Sequence, residues 1–219
     1  MIEIIKKKIV NNLFLYTLVR IPLDFLRWKK RNYLPPTPIF IKHNVIKGYL
    51  IKNSILIETG TFKGNFIYNL HNNFPKCISI EPNNNFFLMA KKNLSHLSNK
   101  VKLYNSSSEN CFEKIIKENL NKNLTFFLDG HSIFKAPVTS SVEFELKIIE
   151  KYYNFFKNFV IFIDDLRCFD IENGYPKKET LVSYCKKNNF FYNFESDMMI
   201  ISNSQLKIVD FKDRRKIFK

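Results

Sequence analysis

The chain has 219 residues, 45% of them hydrophobic, which suffices for one large domain or two small ones with a substantial core. Its formal net charge is +15. Residues 1–32 carry eight Lys or Arg against two acids and residues 205–219 carry six against two, so a net +10 lies at the two ends. This distribution argues against a nucleic-acid surface spread over the domain. Solvated tails, an anionic membrane surface and a phosphorylated substrate are the remaining interpretations of the basic ends.

The cysteines and histidines indicate no metal or disulfide framework. The four cysteines are widely spaced without a CxxC pair, and the four histidines form no HExxH pattern. Free cysteines fit a reducing compartment. We therefore expect a cytoplasmic protein.

The N-terminal segment imitates a signal peptide, because lysines precede the apolar run 9–19. Asn11 and Asn12 interrupt that run, and no small-residue cleavage site follows it. The run is too short to span a bilayer. We expect residues 1–32 to be a basic helical segment that packs on the domain. The alternative is a peripheral helix on the inner face of a membrane.

Apolar runs and helical periods alternate after the proline-rich break at 35–38, where a helix cannot continue. The sequence predicts strands over 54–58, 77–81, 101–104, 124–129 and 159–165, helices over 62–74, 84–97, 108–119, 140–156 and 176–188, and a closing antiparallel pair over 190–195 and 198–202. Ser140 and Glu143 have the spacing of a capping box at the fourth of these helices.

This alternation predicts an α/β fold: a Rossmann-like, mostly parallel seven-stranded sheet with helices on both faces. The domain would occupy residues 33–204, between the basic helical segment 1–32 and a basic tail over 205–219. Ligands of such folds bind outside the carboxyl ends of the strands, so the residues that follow each strand are the candidates for a site.

The first strand leads into Glu58-Thr59-Gly60-Thr61-Phe62-Lys63-Gly64, which holds two of the five glycines in the chain. Gly60 can adopt a positive φ and let a ligand approach the backbone, and Gly64 lets the next helix pack close to the strand. This is a nucleotide-type turn, but not GxGxxG, and it is weak evidence by itself. An NAD-dependent oxidoreductase would need a glycine where Phe62 stands.

The second strand ends at Glu81, which follows Gly60 by 21 residues. A carboxylate there is the expected acceptor for both hydroxyl groups of a ribose. An exposed acid at a strand end is the alternative. Together with the glycine turn, Glu81 favours a nucleoside site.

The pattern Glu58-x-Gly60-x-x-x-Gly64 followed by Glu81 resembles class I S-adenosylmethionine-dependent methyltransferases. The stretches SSSENCFEKII, FFLDGH and VIFIDD are similar to later strand ends in a bacterial subgroup related to the metal-dependent O-methyltransferases of macrolide sugars. Genes of that subgroup often accompany surface-polysaccharide synthesis. The resemblance covers about residues 33–203.

The resemblance implies roles for the cofactor site. Glu58 would face the methionine amino group of S-adenosylmethionine, and Glu81 would hold the ribose. The turn of Thr59, Gly60, Thr61 and Gly64 would cradle the middle of the cofactor, with Asp129 beside it. Ser107 stands where relatives place an aspartate on the adenine amino group. Adenine contact at Ser107 is therefore in question, with Ser108 or nearby backbone as the substitute.

Two devices could take the proton of an acceptor hydroxyl. Asp129, Asp164 and Asp165 would converge at neighbouring strand ends, where Mg²⁺ could join them and acidify a bound hydroxyl. His131 could instead act as a general base. The catalytic candidates are thus Asp129, His131 and Asp164. The alternatives are that the aspartates only cap a turn and that His131 only satisfies a loop carbonyl.

Other polar residues lie near the expected mouth of the site. Arg167 could bind an anionic group of the acceptor or pair with Asp170. Thr139 and Ser140 could touch an acceptor, although helix capping already explains Ser140.

The sequence therefore predicts an S-adenosylmethionine-dependent methyltransferase that O-methylates a sugar or a related small-molecule or glycan hydroxyl in cell-surface polysaccharide synthesis. A tRNA or rRNA methyltransferase and a cofactor-binding scaffold without catalysis are the alternatives. Nucleic acid is the less favoured partner, because the chain lacks an Asn/Asp-Pro-Pro-aromatic motif and a separate RNA-binding module. The oligomeric state stays open.

Overall fold

The computed structural model describes residues 13–130, 140–171 and 174–206. His131 and Thr139, two of the predicted site residues, lie outside these ranges. The described helices are α1 (Leu13–Lys30), α2 (Ile39–Tyr49), α3 (Asn65–Leu70), α4 (Asn84–Asn93), α5 (Ser108–Lys117), α6 (Val142–Tyr152) and α7 (Lys178–Lys187). None of the helices within these ranges is long and apolar enough to cross a membrane.

The described strands form one seven-stranded sheet in the order β3-β2-β1-β4-β5-β7-β6. They are β1 (Ile55–Thr59), β2 (Cys77–Ile80), β3 (Val101–Tyr104), β4 (Asn123–Leu128), β5 (Asn158–Ile163), β6 (Phe191–Glu195) and β7 (Met198–Ser202). The first five strands pair in parallel, and β7 pairs antiparallel with both β5 and β6. The predicted fold class and the closing antiparallel pair are confirmed.

The central strands are buried on both faces, which explains their continuous apolar sequences. Successive side chains of a strand point to opposite faces. Phe126 accordingly packs in one core with Phe112 and Phe159, and Phe127 packs in the other, where its ring stacks on Phe66 at 3.9 Å between centroids. Both faces of the sheet are therefore covered, and the polar groups that a ligand could reach lie at its carboxyl edge.

Helices α3, α6 and α7 begin later than the sequence predicts, and α7 begins at Lys178 rather than at residue 176. Helix α3 starts at Asn65 because Gly64, at φ +83°, is its N-cap. Helix α6 starts at Val142 with Ser141 as N-cap, which leaves the predicted capping box of Ser140 and Glu143 unformed. Ser140 instead accepts a hydrogen bond from the Val142 N–H at 3.3 Å.

Helix α2 lies between the proline-rich break and the first strand, where the sequence pattern gave no separate prediction of a helix. Pro38 is its N-cap, and the helix packs Val45, Ile46 and Tyr49 into the core on one face of the sheet. This packing brings Lys42 to the carboxyl edge of the sheet, where its ammonium group contacts residues that follow β5.

Candidate functional site

The turn after β1 has the geometry that the two glycines predict. The N–H groups of Gly60 and Thr61 both donate to the Ile80 carbonyl, at 3.0 and 3.2 Å, and so fasten the turn to β2. Gly60 has φ +84°, and a Cβ atom there would lie 2.4 Å from the Asp129 carbonyl oxygen. A side chain at position 60 would therefore need both a strained backbone and a displaced strand end.

Glu58 is buried beneath this turn. The Ser79 hydroxyl donates to its carboxylate and is also hydrogen-bonded to Thr61. Burial raises the pKa of Glu58 to about 8, and the nearby charge of Asp129 adds to that increase. Burial therefore favours the protonated form of Glu58. Its contact with a cofactor amino group stays a prediction.

Glu81 directly follows β2 and lies beside the glycine turn. Its two carboxylate oxygens accept hydrogen bonds from the backbone N–H groups of Phe62 at 2.7 Å and Asn83 at 2.8 Å. Burial raises its pKa, and the two N–H donors oppose that increase. Each oxygen keeps a second lone pair for a further donor. This carboxylate fits the hydroxyl groups of a ribose.

The loop after β3 differs from the expectation. Ser107 is the N-cap of α5 and is half-buried. Ser108, the predicted substitute for adenine contact, is buried and donates to Glu145 at 2.6 Å. Its hydroxyl proton is therefore already used within the protein, and backbone groups or Ser107 remain the candidates for adenine.

Glu145 is a site residue that sequence reasoning missed. It lies fully buried on α6 and accepts hydrogen bonds from Ser108, Ser141 (2.7 Å) and Thr59 (3.4 Å), which are the first residue of α5, the N-cap of α6 and the last residue of β1. Burial raises its pKa to about 7. The sequence did contain a signal, because Glu145 interrupts the apolar stripe of α6 that contains Val142, Leu146 and Ile149.

The predicted convergence of aspartates occurs at the ends of β4 and β5. The Asp129 N–H donates to the Thr59 carbonyl, and the Asp164 N–H donates to the Leu128 carbonyl, each at 3.1 Å. Adjacent parallel strands thus hold Asp129 and Asp164 at one edge. Burial raises the pKa of Asp164, and the charges of Asp129 and Asp165 act in the same direction.

Two cations lie among these acids. Lys42 pairs with Asp164, with Asp165 at 3.4 Å and with Asp197 at 3.8 Å. Arg167 pairs with Asp165 at 2.6 Å and with Asp197. We call Lys42, Asp164, Asp165, Arg167 and Asp197 the lysine cluster. Sequence reasoning missed Lys42 and Asp197, because they come from α2 and the β6–β7 turn.

The pair of Arg167 and Asp170, one of the two alternatives for Arg167, does not form. Asp170 pairs instead with Lys178 at 3.3 Å and accepts the Lys178 N–H at 2.8 Å, near the start of α7. Arg167 is held by Asp165 and Asp197 of the lysine cluster, so the predicted role of Arg167 as an anion-binding group has no support from its contacts.

The predicted magnesium site does not fit the described residues. Asp164 and Asp165 are directed to Lys42 and Arg167 rather than to a shared open position. Across 13–130, 140–171 and 174–206, no group of three or more His, Cys, Asp or Glu side chains is arranged to hold a metal ion. We therefore derive no chemical step through Mg²⁺.

The comparisons with known proteins concern the fold. No protein-family model matches the sequence, and no curated protein matches it. A candidate rRNA methylase from Clostridium thermocellum matches with a TM-score of 0.53 and 12% identity, over 77% of this chain and 97% of that one. An rRNA methylase from Streptococcus thermophilus matches with a TM-score of 0.48 and 16% identity, over 80% and 99%. A candidate methyltransferase from Streptococcus mutans in complex with SAH matches with a TM-score of 0.49 and 16% identity, over 77% and 98%.

Of these three, the Clostridium structure alone exceeds a TM-score of 0.5, and at 12% identity it shows a shared fold. The chain therefore has the Rossmann-like fold of class I S-adenosylmethionine-dependent methyltransferases. The comparisons do not show the sugar O-methyltransferase subgroup that the sequence resembles.

The comparisons also correct the predicted partners. We expected a small-molecule or glycan acceptor and considered nucleic acid unlikely. A solved structure that shares the fold is instead named as a candidate rRNA methylase, which contradicts that expectation. The prediction was wrong because short strand-end sequences such as LDGH and IDD describe the fold's carboxyl edge and carry little information about the acceptor.

Proposed function

We propose that this chain is an S-adenosylmethionine-dependent methyltransferase and that RNA is its acceptor. The domain of residues 33–204 would carry the reaction, and the basic segments 1–32 and 205–219 would attract the phosphate backbone. We also propose that the protein works in the cytoplasm, because its four widely spaced cysteines, which form no CxxC pair, fit a reducing compartment.

The observation that carries the cofactor assignment is the Glu81 carboxylate beside the glycine turn. Two backbone N–H groups orient this carboxylate, and its remaining lone pairs suit the two hydroxyl groups of a ribose. Gly60 leaves the neighbouring backbone open to close approach. When bound, the cofactor would supply an electrophilic methyl group, and the chain's main task would be to align the acceptor with it.

Asp129 and Asp164 are the carboxylates that we propose to receive the acceptor's proton. Hydrogen bonds to Thr59 and Leu128 hold their backbones at adjacent strand ends, next to the proposed cofactor turn. His131, the other candidate base, follows Asp129 by two residues but lies outside the described residues. Single replacements of Asp129 and Asp164 would show how much each carboxylate contributes to methyl transfer.

Two observations support RNA as the acceptor. The net charge of +15 favours a polyanion, and the fold is shared with a structure named as a candidate rRNA methylase. An aromatic pair next to the turn adds to them. Phe62 is 42% exposed, its ring lies 4.5 Å from that of Phe86, and Lys63 Nζ lies 5.3 Å from its centroid. Such a surface suits an unpaired base, whose stacking contributes about 1–3 kcal/mol.

Calorimetry with S-adenosylmethionine and S-adenosylhomocysteine tests the cofactor assignment. We expect binding to the wild type and to Glu118→Gln, a control at an exposed carboxylate, and weaker binding to Glu81→Gln. Absence of both heat and a thermal shift at millimolar cofactor would refute the proposed function.

A transfer assay with methyl-labelled cofactor tests the acceptor. Total RNA should become labelled, RNase treatment should release the label, and mass spectrometry of the nucleosides should identify the modified base. Label in a polysaccharide fraction but not in RNA would contradict the RNA assignment. Cofactor binding without transfer to any fraction would favour the scaffold alternative.

A further inference from the structure

We propose that Lys42 is a positioning residue at the carboxyl ends of β4 and β5. Its positive charge takes the place of the divalent cation that the acids there would otherwise need. Methyl transfer by this chain would then be independent of divalent metal. The statement about transfer rests on the proposed function, whereas the statement about charge rests on the lysine cluster alone.

Lys42 is a buried cation that contacts several carboxylates. The residue is 4% exposed, and its ammonium group lies against three carboxylates: Asp164, Asp165 at 3.4 Å and Asp197 at 3.8 Å. These acids come from two segments, the loop after β5 and the β6–β7 turn. Proximity to the acids raises the pKa of Lys42 despite its burial, so the group stays charged at neutral pH.

The charges of the lysine cluster nearly balance when all five groups are ionised. Three carboxylates face Lys42 and Arg167, which leaves a single net negative charge. Without Lys42, the buried Asp164 and the partly buried Asp165 and Asp197 would face one guanidinium group. Such a pocket would attract a hard divalent cation, which prefers oxygen ligands. The presence of Lys42 therefore explains why these acids are not open to a metal.

Lys42 also joins elements that are far apart in the sequence. Asp164 Oδ1 accepts the Asp165 N–H at 2.7 Å as well as the Lys42 ammonium, and Asp197 Oδ1 accepts the Arg167 N–H at 2.9 Å. The Leu166 N–H donates to the Asp197 carbonyl at 3.0 Å. Lys42 thus ties helix α2 to the loop after β5 and to the β6–β7 turn, on the side of the edge where Asp129 lies.

The test compares wild type, Lys42→Ala and Lys42→Arg, with Lys47→Ala as a control on the exposed side of the same helix. Melting temperature is measured in EDTA and in Mn²⁺, and bound Mn²⁺ is counted by electron paramagnetic resonance. Wild type and Lys47→Ala should show no bound Mn²⁺ and the same melting temperature in both solutions. Lys42→Ala should melt about 6–20 °C lower in EDTA, because it leaves buried charges uncompensated.

Two results distinguish a positioning cation from a structural lysine. Lys42→Ala should bind one Mn²⁺ ion per chain, and Mn²⁺ should restore at least half of the melting temperature that the variant has lost. Neither result is expected if Lys42 has only a packing role. Lys42→Arg should retain the wild-type behaviour, since it keeps the charge. In the transfer assay, Lys42→Ala should lower kcat more than it raises KM for RNA, and Mn²⁺ should restore kcat in part.

Several outcomes would overturn the proposal. One is a wild type that binds Mn²⁺ as tightly as the variant, and another is a wild type that loses stability or transfer in EDTA. A third is Lys42→Ala with an unchanged melting temperature. If Lys42→Ala does not fold, Lys42→Met keeps most of the side-chain volume and takes its place in the Mn²⁺ count. Calorimetry with S-adenosylhomocysteine on wild type reports the proposed function separately, because the Mn²⁺ count needs no cofactor.

Discussion

Replacement of Gly60 by alanine is the sharpest test of the turn after β1. The glycine has φ +84°, where a residue with a Cβ atom is less stable by about 1–2 kcal/mol. The new Cβ would also lie 2.4 Å from the Asp129 carbonyl oxygen and 2.9 Å from its carbon. Both are backbone atoms of the neighbouring strand end, so they cannot move aside by a change of rotamer.

Overpacking of this kind costs about 1–3 kcal/mol, so the two effects together predict a loss of about 2–5 kcal/mol in the free energy of unfolding. For a chain of this size that corresponds to a fall of about 4–20 °C in melting temperature. Because Asp129 and Glu81 flank the turn, the affinity for S-adenosylhomocysteine should fall as well. Differential scanning fluorimetry and calorimetry measure the two effects.

The other glycines provide an ordered series of controls. Gly64→Ala shares the positive φ, but its Cβ would meet the flexible Leu94 side chain at 2.8 Å. Gly130→Ala would meet the Ser141 hydroxyl at 2.5 Å without a positive φ. Gly48→Ala, in the last turn of α2, should be neutral or stabilise the helix by up to about 1 kcal/mol. A Gly60→Ala protein with wild-type stability and affinity, or one more stable than Gly64→Ala, would refute the steric argument.

Two carboxylates give further predictions. Glu81→Gln should weaken S-adenosylhomocysteine binding by about 10- to 100-fold in calorimetry, since hydrogen bonds to a charged group contribute about 1.5–3 kcal/mol. An equal loss of affinity in the exposed control Glu118→Gln would argue against a specific role of Glu81. Burial raises the pKa of Glu145 from 4.5 to about 7, so the stability that its protonated form contributes is complete below about pH 4.5 and is lost as the pH rises toward 7. The melting temperature of Glu145→Gln relative to wild type should therefore rise between pH 5 and pH 8, and a difference that does not change with pH would contradict the burial argument.

The fold could be predicted because its determinants are local. Each central strand is a continuous apolar run, and such a run is buried whatever its neighbours are. The strand bounds accordingly agree with the prediction to within one or two residues. The helix starts at Asn65 and Val142 were placed too early, because the residue that ends a turn depends on backbone conformations that the apolar pattern does not record.

The glycine turn and the acid of the proposed cofactor site were also readable from local sequence. Gly60 and Gly64 are required by sterics within the turn and its neighbours, and Glu81 follows the turn at a spacing that the strand–helix–strand unit fixes. Glu145 could have been found as an acid in an apolar stripe. Lys42 could not, because its partner Asp164 is 122 residues away and nothing near either residue identifies the other. The aspartates alone therefore suggested a metal.

The acids at the carboxyl edge have different kinds of partner in its two halves. Glu58 and Glu145, near β1 and β3, are held by hydroxyl donors, and burial raises the pKa of both. Burial raises the pKa of Asp164, near β5, as well, but this acid is already paired with the ammonium group of Lys42. A cationic ligand gains more beside acids that can ionise in response to it than beside acids that are already paired with a cation. This difference is consistent with the proposal that the β1–β3 half holds the positively charged cofactor and the β4–β5 half holds the acceptor.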